Sequence, residues 1–413
     1  MRILLIHKFH YRLGGAERIY FDTARLLEAA GHEVAFFSME HPENQETQWS
    51  RFFVERVEYG SEMSLGEKIR TASRIIWNFE VQKKLQKLID EFRPDAAHCF
   101  NVFHQLSPSV LWTLRKNHIP TVLTLCDFKV VSPNYFLYHF EKREIWNSGS
   151  GWRCIAERCV KNSHAKSLVC AVEKWSHDLL GSYRLVNVFL APSQFLIDKY
   201  HELGFDRDID IVHHPVVKKD ETVPLAPIPF SERANEYLYF GRFSVEKGVD
   251  TIIRAFEKLP PESRLLLVGY GPEEESLRAL VKELGLERRV QFLGAVYGEE
   301  LATIMRRVRA IILSSVWYEN QPFVMMDSLA AGTLLVASRI GGIPDILKNG
   351  KNGLLYEPGN ADDLARVIQS IPEHDYMKMI AAARETASEY TDEHYLKDIL
   401  AAYKKASAKE KLK

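Results

Sequence analysis

The stretch from Ser314 to Gly332 holds the residues best suited to chemistry. Glu319 precedes Asn320, Gln321 and Pro322, and a second acid, Asp327, follows with seven residues between the two. Pro322 suits the first position of a helix, so the backbone N–H groups of Phe323 and Val324 are left to meet an anion at the helix N-terminus. Acids on either side of that anion would accept hydrogen bonds from hydroxyls. This is the shape of a sugar nucleotide: hexose hydroxyls at Glu319, a diphosphate at the helix N-terminus and ribose hydroxyls at Asp327. Two unrelated surface acids are the plain alternative. Upstream, the run Gly241-Arg242 to Glu246-Lys247-Gly248 places two fixed cations where a strand passes into a helix. An arginine fork and a lysine point charge together suit a diphosphate that gains negative charge as it leaves. Here the alternative is a solvated turn with a salt bridge to Glu246.

A third glycine-containing turn, Leu13-Gly14-Gly15-Ala16-Glu17, lets backbone N–H groups approach a phosphate or hydroxyl, or serves a tight turn alone. The dinucleotide fingerprint is absent: it cannot be written through Gly14-Gly15, and Gly269-Tyr270-Gly271-Pro272 is followed by Glu274 where the third glycine would stand. That disfavours a nicotinamide dehydrogenase.

These turns need strands to carry them. Arg2 to His7 is a short apolar run of the parallel-strand kind, Ala16 to Ala30 has helical spacing, and His32 to Ser38 supplies the next strand. Further strands are expected at 95–99, 120–126, 186–191 and 209–213, with helices such as 108–116 and 193–203. Between residues 135 and 165 the periodicity fails, which predicts a long inserted loop. Prolines 215, 224, 227 and 229 mark an interdomain linker. Alternation then restarts: strands at 236–241, 264–269, 290–293, 310–315 and 333–338, helices at 249–259, 272–284, 299–308, 323–331 and 361–371. The expected fold is α/β, two Rossmann-like domains with parallel sheets facing across a cleft, with ligand at the strand C-termini. Residues 1–215 form the acceptor-side domain, 216–235 the linker and 236–390 the nucleotide-sugar domain. Residues 391–413 form a last helix that packs back on the first domain and ends in a frayed basic tail.

The chain has 413 residues, enough for two cores, and 46% hydrophobic with 26% charged residues is an ordinary globular balance. Fifty-four basic residues against 55 acidic ones leave no global field for nucleic acid. Cys99, Cys126, Cys154, Cys159 and Cys170 are irregularly spaced and are read as reduced thiols in the cytosol; no metal is assigned to Cys154, Cys159, Cys170 and His164. No stretch is apolar enough to span a bilayer, which leaves peripheral contact with the inner face of the membrane open.

Taken together, Gly14-Gly15-Ala16-Glu17, Gly241-Arg242 to Gly248, Gly269 to Pro272, Val290 to Gly294, Glu319 to Asp327 and Gly332 to Pro344 resemble the nucleotide-sugar glycosyltransferases of family four over nearly the whole chain. The resemblance implies the GT-B fold and transfer of a hexosyl group, with retained configuration, from a UDP- or GDP-sugar to a carbohydrate or lipid-linked acceptor, without a cofactor. It also implies that Arg242 and Lys247 neutralise the leaving diphosphate, that Glu319 holds the transferred sugar, and that Phe292-Leu293-Gly294 border the base. Two positions depart from the family pattern. Asp327 stands where a second glutamate is usual, and Leu125-Cys126-Asp127 carries a thiol where a histidine before aspartate often contacts the donor sugar. The rival readings are a sugar-nucleotide epimerase on the same plan and a nucleotide-sugar-binding protein without turnover.

Overall fold

The computed structural model describes residues 1–56, 73–216 and 228–412. Most of the proline-rich linker, residues 217–227, lies outside them. The chain divides into two compact units: Met1–Leu137 with Asn147–His214 and Glu393–Lys413, and Pro215–Asp392 with Tyr138–Trp146.

The first unit is built on β1 (Arg2–Ile6), β2 (Glu33–Phe37), β3 (Ala96–Cys99), β4 (Thr121–Thr124), β7 (Val188–Ala191) and β8 (Ile209–Ile211). They lie in the order β2-β1-β3-β4-β7-β8, every pair parallel. Ile3 to Ile6 are fully buried, as a strand covered by helices on both faces requires. The chain runs outward from β1 to β2 and returns to β3 on the other side, so β1 and β3 form the switch point at which open α/β sheets bind ligands. Helix α1 (Gly15–Ala29) follows the loop after β1. Helix α2 (Phe79–Phe92), not foreseen, is fixed by Asn78, whose side chain accepts from the N–H groups of Glu80 and Val81 at 3.1 and 3.3 Å. Helices α3 (Ser109–Lys116) and α6 (Gln194–Glu202) lie where helical spacing placed them.

The segment 135–165 is more regular than expected. A two-stranded hairpin, β5 (Tyr138–His139) with β6 (Glu144–Ile145), precedes α4 (Gly151–Glu157) and α5 (His164–Leu180). Ser150 and Ser163 cap the two helices by accepting from Arg153 and Lys166 N–H. Periodicity missed α5 because its inward positions include Ser167, Glu173 and His177 while several leucines and valines point outward. The thiols also differ from expectation: Cys154 and Cys159 are joined in a disulfide, with the left-handed Arg158 turning the chain back so that Cys159 N–H reaches the Cys154 carbonyl.

The second unit repeats the wiring with β9 (Ala234–Phe240), β10 (Arg264–Val268), β11 (Val290–Gly294), β12 (Val308–Leu313), β13 (Leu334–Ser338) and β14 (Leu354–Tyr356). Their order is β11-β10-β9-β12-β13-β14, again all parallel, which puts the switch point between β9 and β12. Helices α7 (Val249–Glu257), α8 (Glu274–Glu283), α9 (Gly298–Arg307), α10 (Phe323–Ala331), α11 (Ile343–Ile346), α12 (Ala361–Gln369) and α13 (Tyr376–Ser388) complete it around two cores, one on each sheet face.

The last helix, α14 (Asp392–Lys411), belongs to the first unit and is not frayed. Tyr395 bonds Thr23 at 2.6 Å, Tyr403 bonds His98 at 2.9 Å, and Glu410, buried, accepts from Asn187 at 2.9 Å and from Arg115.

Candidate active site

Two loops leave the switch point of the second sheet, one after β9 and one after β12, and they carry the cations and the carboxylate singled out above. Lys247 Nζ donates to Glu319 Oε1 at 2.6 Å. The same oxygen accepts from Ser315 Oγ at 2.6 Å and Trp317 Nε1 at 3.0 Å, and the Trp317 ring lies 5.1 Å from the Lys247 ammonium. Oε2 accepts no hydrogen bond from a described residue. Burial alone would raise the Glu319 carboxyl, but the Lys247 charge and the three donors outweigh it and hold it below the ordinary carboxylate range. The residues assigned to the diphosphate and to the transferred sugar are thus in contact with one another. Glu246, the alternative partner for the cations, instead accepts from Ser244 Oγ at 2.6 Å.

The backbone locks this arrangement. Val316 N–H donates to the Glu246 carbonyl at 2.9 Å, Ser314 Oγ to the Lys247 carbonyl at 2.6 Å, and Gly342 N–H to the Glu319 carbonyl at 2.7 Å. Gly341 is at φ +59°, and a Cβ there would run into the Glu319 carbonyl oxygen. Gly269 (φ +132°) likewise passes against the Gly241 carbonyl, and its N–H donates to the Gly294 carbonyl at 2.7 Å. The segment Phe292-Leu293-Gly294 is thereby tied to the loops after β9 and β10, with Arg278 stacked 4.1 Å over the Phe292 ring.

Arg242 is exposed and its guanidinium makes no hydrogen bond or ion pair with a described residue, while its carbonyl accepts from the Tyr239 hydroxyl at 2.8 Å. Pro322 precedes α10 in extended conformation, which leaves Phe323 and Val324 in the first turn. Gln321 is buried, and Asn320 and Asp327 are half-buried, Asp327 in the middle of α10.

The first unit holds the remaining candidates. Gly14 caps α1, its carbonyl accepting from Arg18 N–H at 3.0 Å. The Cys126 thiol donates to the Thr124 carbonyl at 3.8 Å, and burial raises its pKa, so it is a neutral thiol. Asp127 accepts from Lys129 N–H at 2.8 Å; burial moves its carboxyl up to about 6 against the pull of Lys8 and Lys129. Sequence reasoning missed these lysines. Lys8 lies two residues past β1, its ammonium 4.0 Å from the centre of the Phe103 ring, and burial lowers its pKa despite Asp127 and Glu17. Lys129 is bound to the fully buried Glu173 of α5 at 2.5 Å, a pairing that only the fold could reveal. Ser315 and Trp317 were also overlooked, although their spacing before Glu319 in one strand-end loop was a usable signal.

Among the described residues no group of three or more His, Cys, Asp or Glu is arranged to hold a metal, and no helix is long and apolar enough to cross a membrane.

The switch-point loops and paired parallel sheets define a class of protein, and comparison with known proteins gives it a family. A family model described as Glycosyl transferases group 1 matches residues 225–389, and one described as Glycosyltransferase Family 4 matches residues 13–157. An uncharacterised 42.6 kDa protein in the cps region of Klebsiella pneumoniae is 24% identical over 84% of this chain and 87% of its own length. N-acetyl-alpha-D-glucosaminyl L-malate synthase of Bacillus anthracis is 31% identical over 49% of this chain, which spans about half (55%) of that protein. Anabaena HepE in complex with UDP-glucose superposes with a TM-score of 0.66, covering 97% of this chain and 98% of its own at 19% identity. The chain is a glycosyltransferase of the family-four type with the GT-B fold.

Proposed function

We propose that the enzyme transfers a hexosyl group from a UDP- or GDP-sugar to a hydroxyl of a carbohydrate or lipid-linked acceptor, with retention of anomeric configuration, in contact with the inner face of the membrane. The observation that carries the reading is the Glu319 carboxylate, kept ionised by Lys247, Ser315 and Trp317 on one oxygen while the other accepts nothing from the described residues. In this scheme Oε2 accepts from a sugar hydroxyl, and Lys247 bridges Glu319 to the diphosphate. Arg242 and the N–H groups of Phe323 and Val324 share the phosphate charge. Asp327, with Asn320 and Gln321 beside it in sequence, serves the ribose, Leu293 and Gly294 border the base, and Gly14, Gly15, Cys126 and Asp127 serve the acceptor side and the sugar.

The acceptor hydroxyl attacks the anomeric carbon on the face from which the diphosphate departs. The new C–O bond forms as the bond to the phosphate oxygen breaks, and that oxygen takes the hydroxyl proton. The UDP-glucose held by the Anabaena neighbour and the glucosaminyl group named in the Bacillus relative support the donor class.

The test is incubation with radiolabelled UDP-, GDP- and ADP-sugars. Transfer or slow hydrolysis with retained configuration is the expected result. Epimerised donor, or binding without turnover of any donor, contradicts the reading. In Arg242→Ala and Lys247→Ala, turnover should fall by about 10²- to 10³-fold, the usual loss for one charge-stabilising donor; near-normal kinetics in both would place the diphosphate elsewhere.

A further inference from the structure

Helix α5 is built inside out. Its inward face carries Ser167, Glu173 and His177 with only the small Ala171 among them as a fully buried apolar residue, and its outward face carries Leu168, Val169, Val172, Leu179 and Leu180, from 37% to 89% exposed. An ordinary surface helix has the opposite arrangement, because the apolar stripe provides its stability. Here polar anchors hold the helix instead: Glu173 to Lys129 at 2.5 Å, His177 to the Ile76 carbonyl at 3.2 Å, and Ser182, just past the helix, to the Trp112 indole at 3.3 Å. Trp152 of α4 extends the apolar row at 74% exposure and leans on Trp175 of α5, with ring centroids 4.7 Å apart. A fixed apolar row of this length on a surface marks a place of contact.

The charges around the row identify what it contacts. Arg158, Lys161 and Lys166 flank the N-terminal end of α5 and Arg184 lies past its C-terminal end; all four are exposed, and none is ion-paired to a described residue. The neighbouring acids are already engaged, Glu157 with Arg153 and Asp178 with Lys174. A second copy of the chain would bring like charges face to face across a symmetric contact, which is unfavourable. A bilayer carrying anionic headgroups satisfies both features, taking the leucines, valines and Trp152 at the headgroup boundary and the cations at the phosphates.

We infer that α4 and α5 form the surface by which this enzyme docks on an anionic lipid bilayer. The inference gives the membrane contact in the proposed function a location, and its test leaves the donor reading untouched because it is read without donor.

The experiment is flotation of the full chain with vesicles of phosphatidylcholine alone or with about one third phosphatidylglycerol. Binding should require phosphatidylglycerol and weaken with added salt. Leu168→Asp with Leu179→Asp should abolish it, and reversal of either Lys161 or Lys166 to Glu should lower the partition coefficient by at least about fivefold. Unchanged melting curves and unchanged calorimetric binding of UDP and GDP would show that the variants are folded with the second unit intact. Failure of the unmodified chain to float with anionic vesicles overturns the inference, as does equal flotation of the leucine pair and both lysine variants. Light scattering that shows an oligomer dissociated by the leucine changes, without vesicle binding, would overturn it in favour of a second copy.

Discussion

At the scale of single residues, Glu319 is the acid that Lys247, Ser315 and Trp317 together hold ionised. Its pKa lies below the ordinary value in the folded chain, so its contribution to stability is complete above the unfolded value near 4.3 and is lost as pH falls through the lower folded pKa. Glu319→Gln keeps an acceptor for Ser315 and Trp317 but leaves Lys247 without its counter-charge. Its cost should be about 1 to 3 kcal/mol at pH 7 and should shrink as the pH is taken below the ordinary carboxylate range. Melting curves of both proteins from pH 7 to pH 3 check this; a gap that stays constant would mean the pair does not hold the carboxylate ionised. Glu319, Arg242 and Lys247 were legible as residue types of strand-end loops, but the Lys247–Glu319 contact was not. It joins positions far apart in sequence that only the β9–β12 pairing makes neighbours.

Among the elements, all strands of the first sheet and five of the second could be read from short apolar runs, since a parallel strand buried on both faces has little choice of residue; the three-residue β14 was not foreseen. Helix α5 could not, because its inward positions are polar and buried charge pairs take the place of the usual stripe. The loops between elements were legible through their glycines, prolines and charged residues, but the contacts they make were not. Gly341→Ala places a Cβ against the Glu319 carbonyl at a positive φ, so it should destabilise the second unit by about 1 to 3 kcal/mol. It should also lower sugar-nucleotide affinity by shifting Glu319. Thermal melting and titration with the donor check both effects, and an alanine variant of ordinary stability would show that the loop relaxes freely.

For the whole molecule, the repeat of one α/β plan was visible in the sequence, whereas the membership of α14 in the first unit depends on long-range bonds that no periodicity records. Tyr403→Phe removes the hydroxyl that bonds His98 in a fully buried setting and should cost about 1 to 3 kcal/mol in the first unit. Nucleoside diphosphate affinity should be unchanged in that variant, because the residues proposed to hold the diphosphate, ribose and base belong to the second unit. The central claim is that Glu319 and Asp327, both beyond β12, hold opposite ends of one donor whose diphosphate is held by Arg242 and Lys247 of the loop after β9. Calorimetric titration of Arg242→Ala, Lys247→Ala, Glu319→Gln and Asp327→Asn with the nucleoside diphosphate and with the full sugar nucleotide tests it most directly. Arg242→Ala and Lys247→Ala should weaken both ligands. Glu319→Gln should spare the diphosphate and lose the additional affinity of the sugar, and Asp327→Asn should weaken the diphosphate by about 1.5 to 3 kcal/mol. Affinities identical to those of the unmodified chain for every ligand in all four variants would contradict the account.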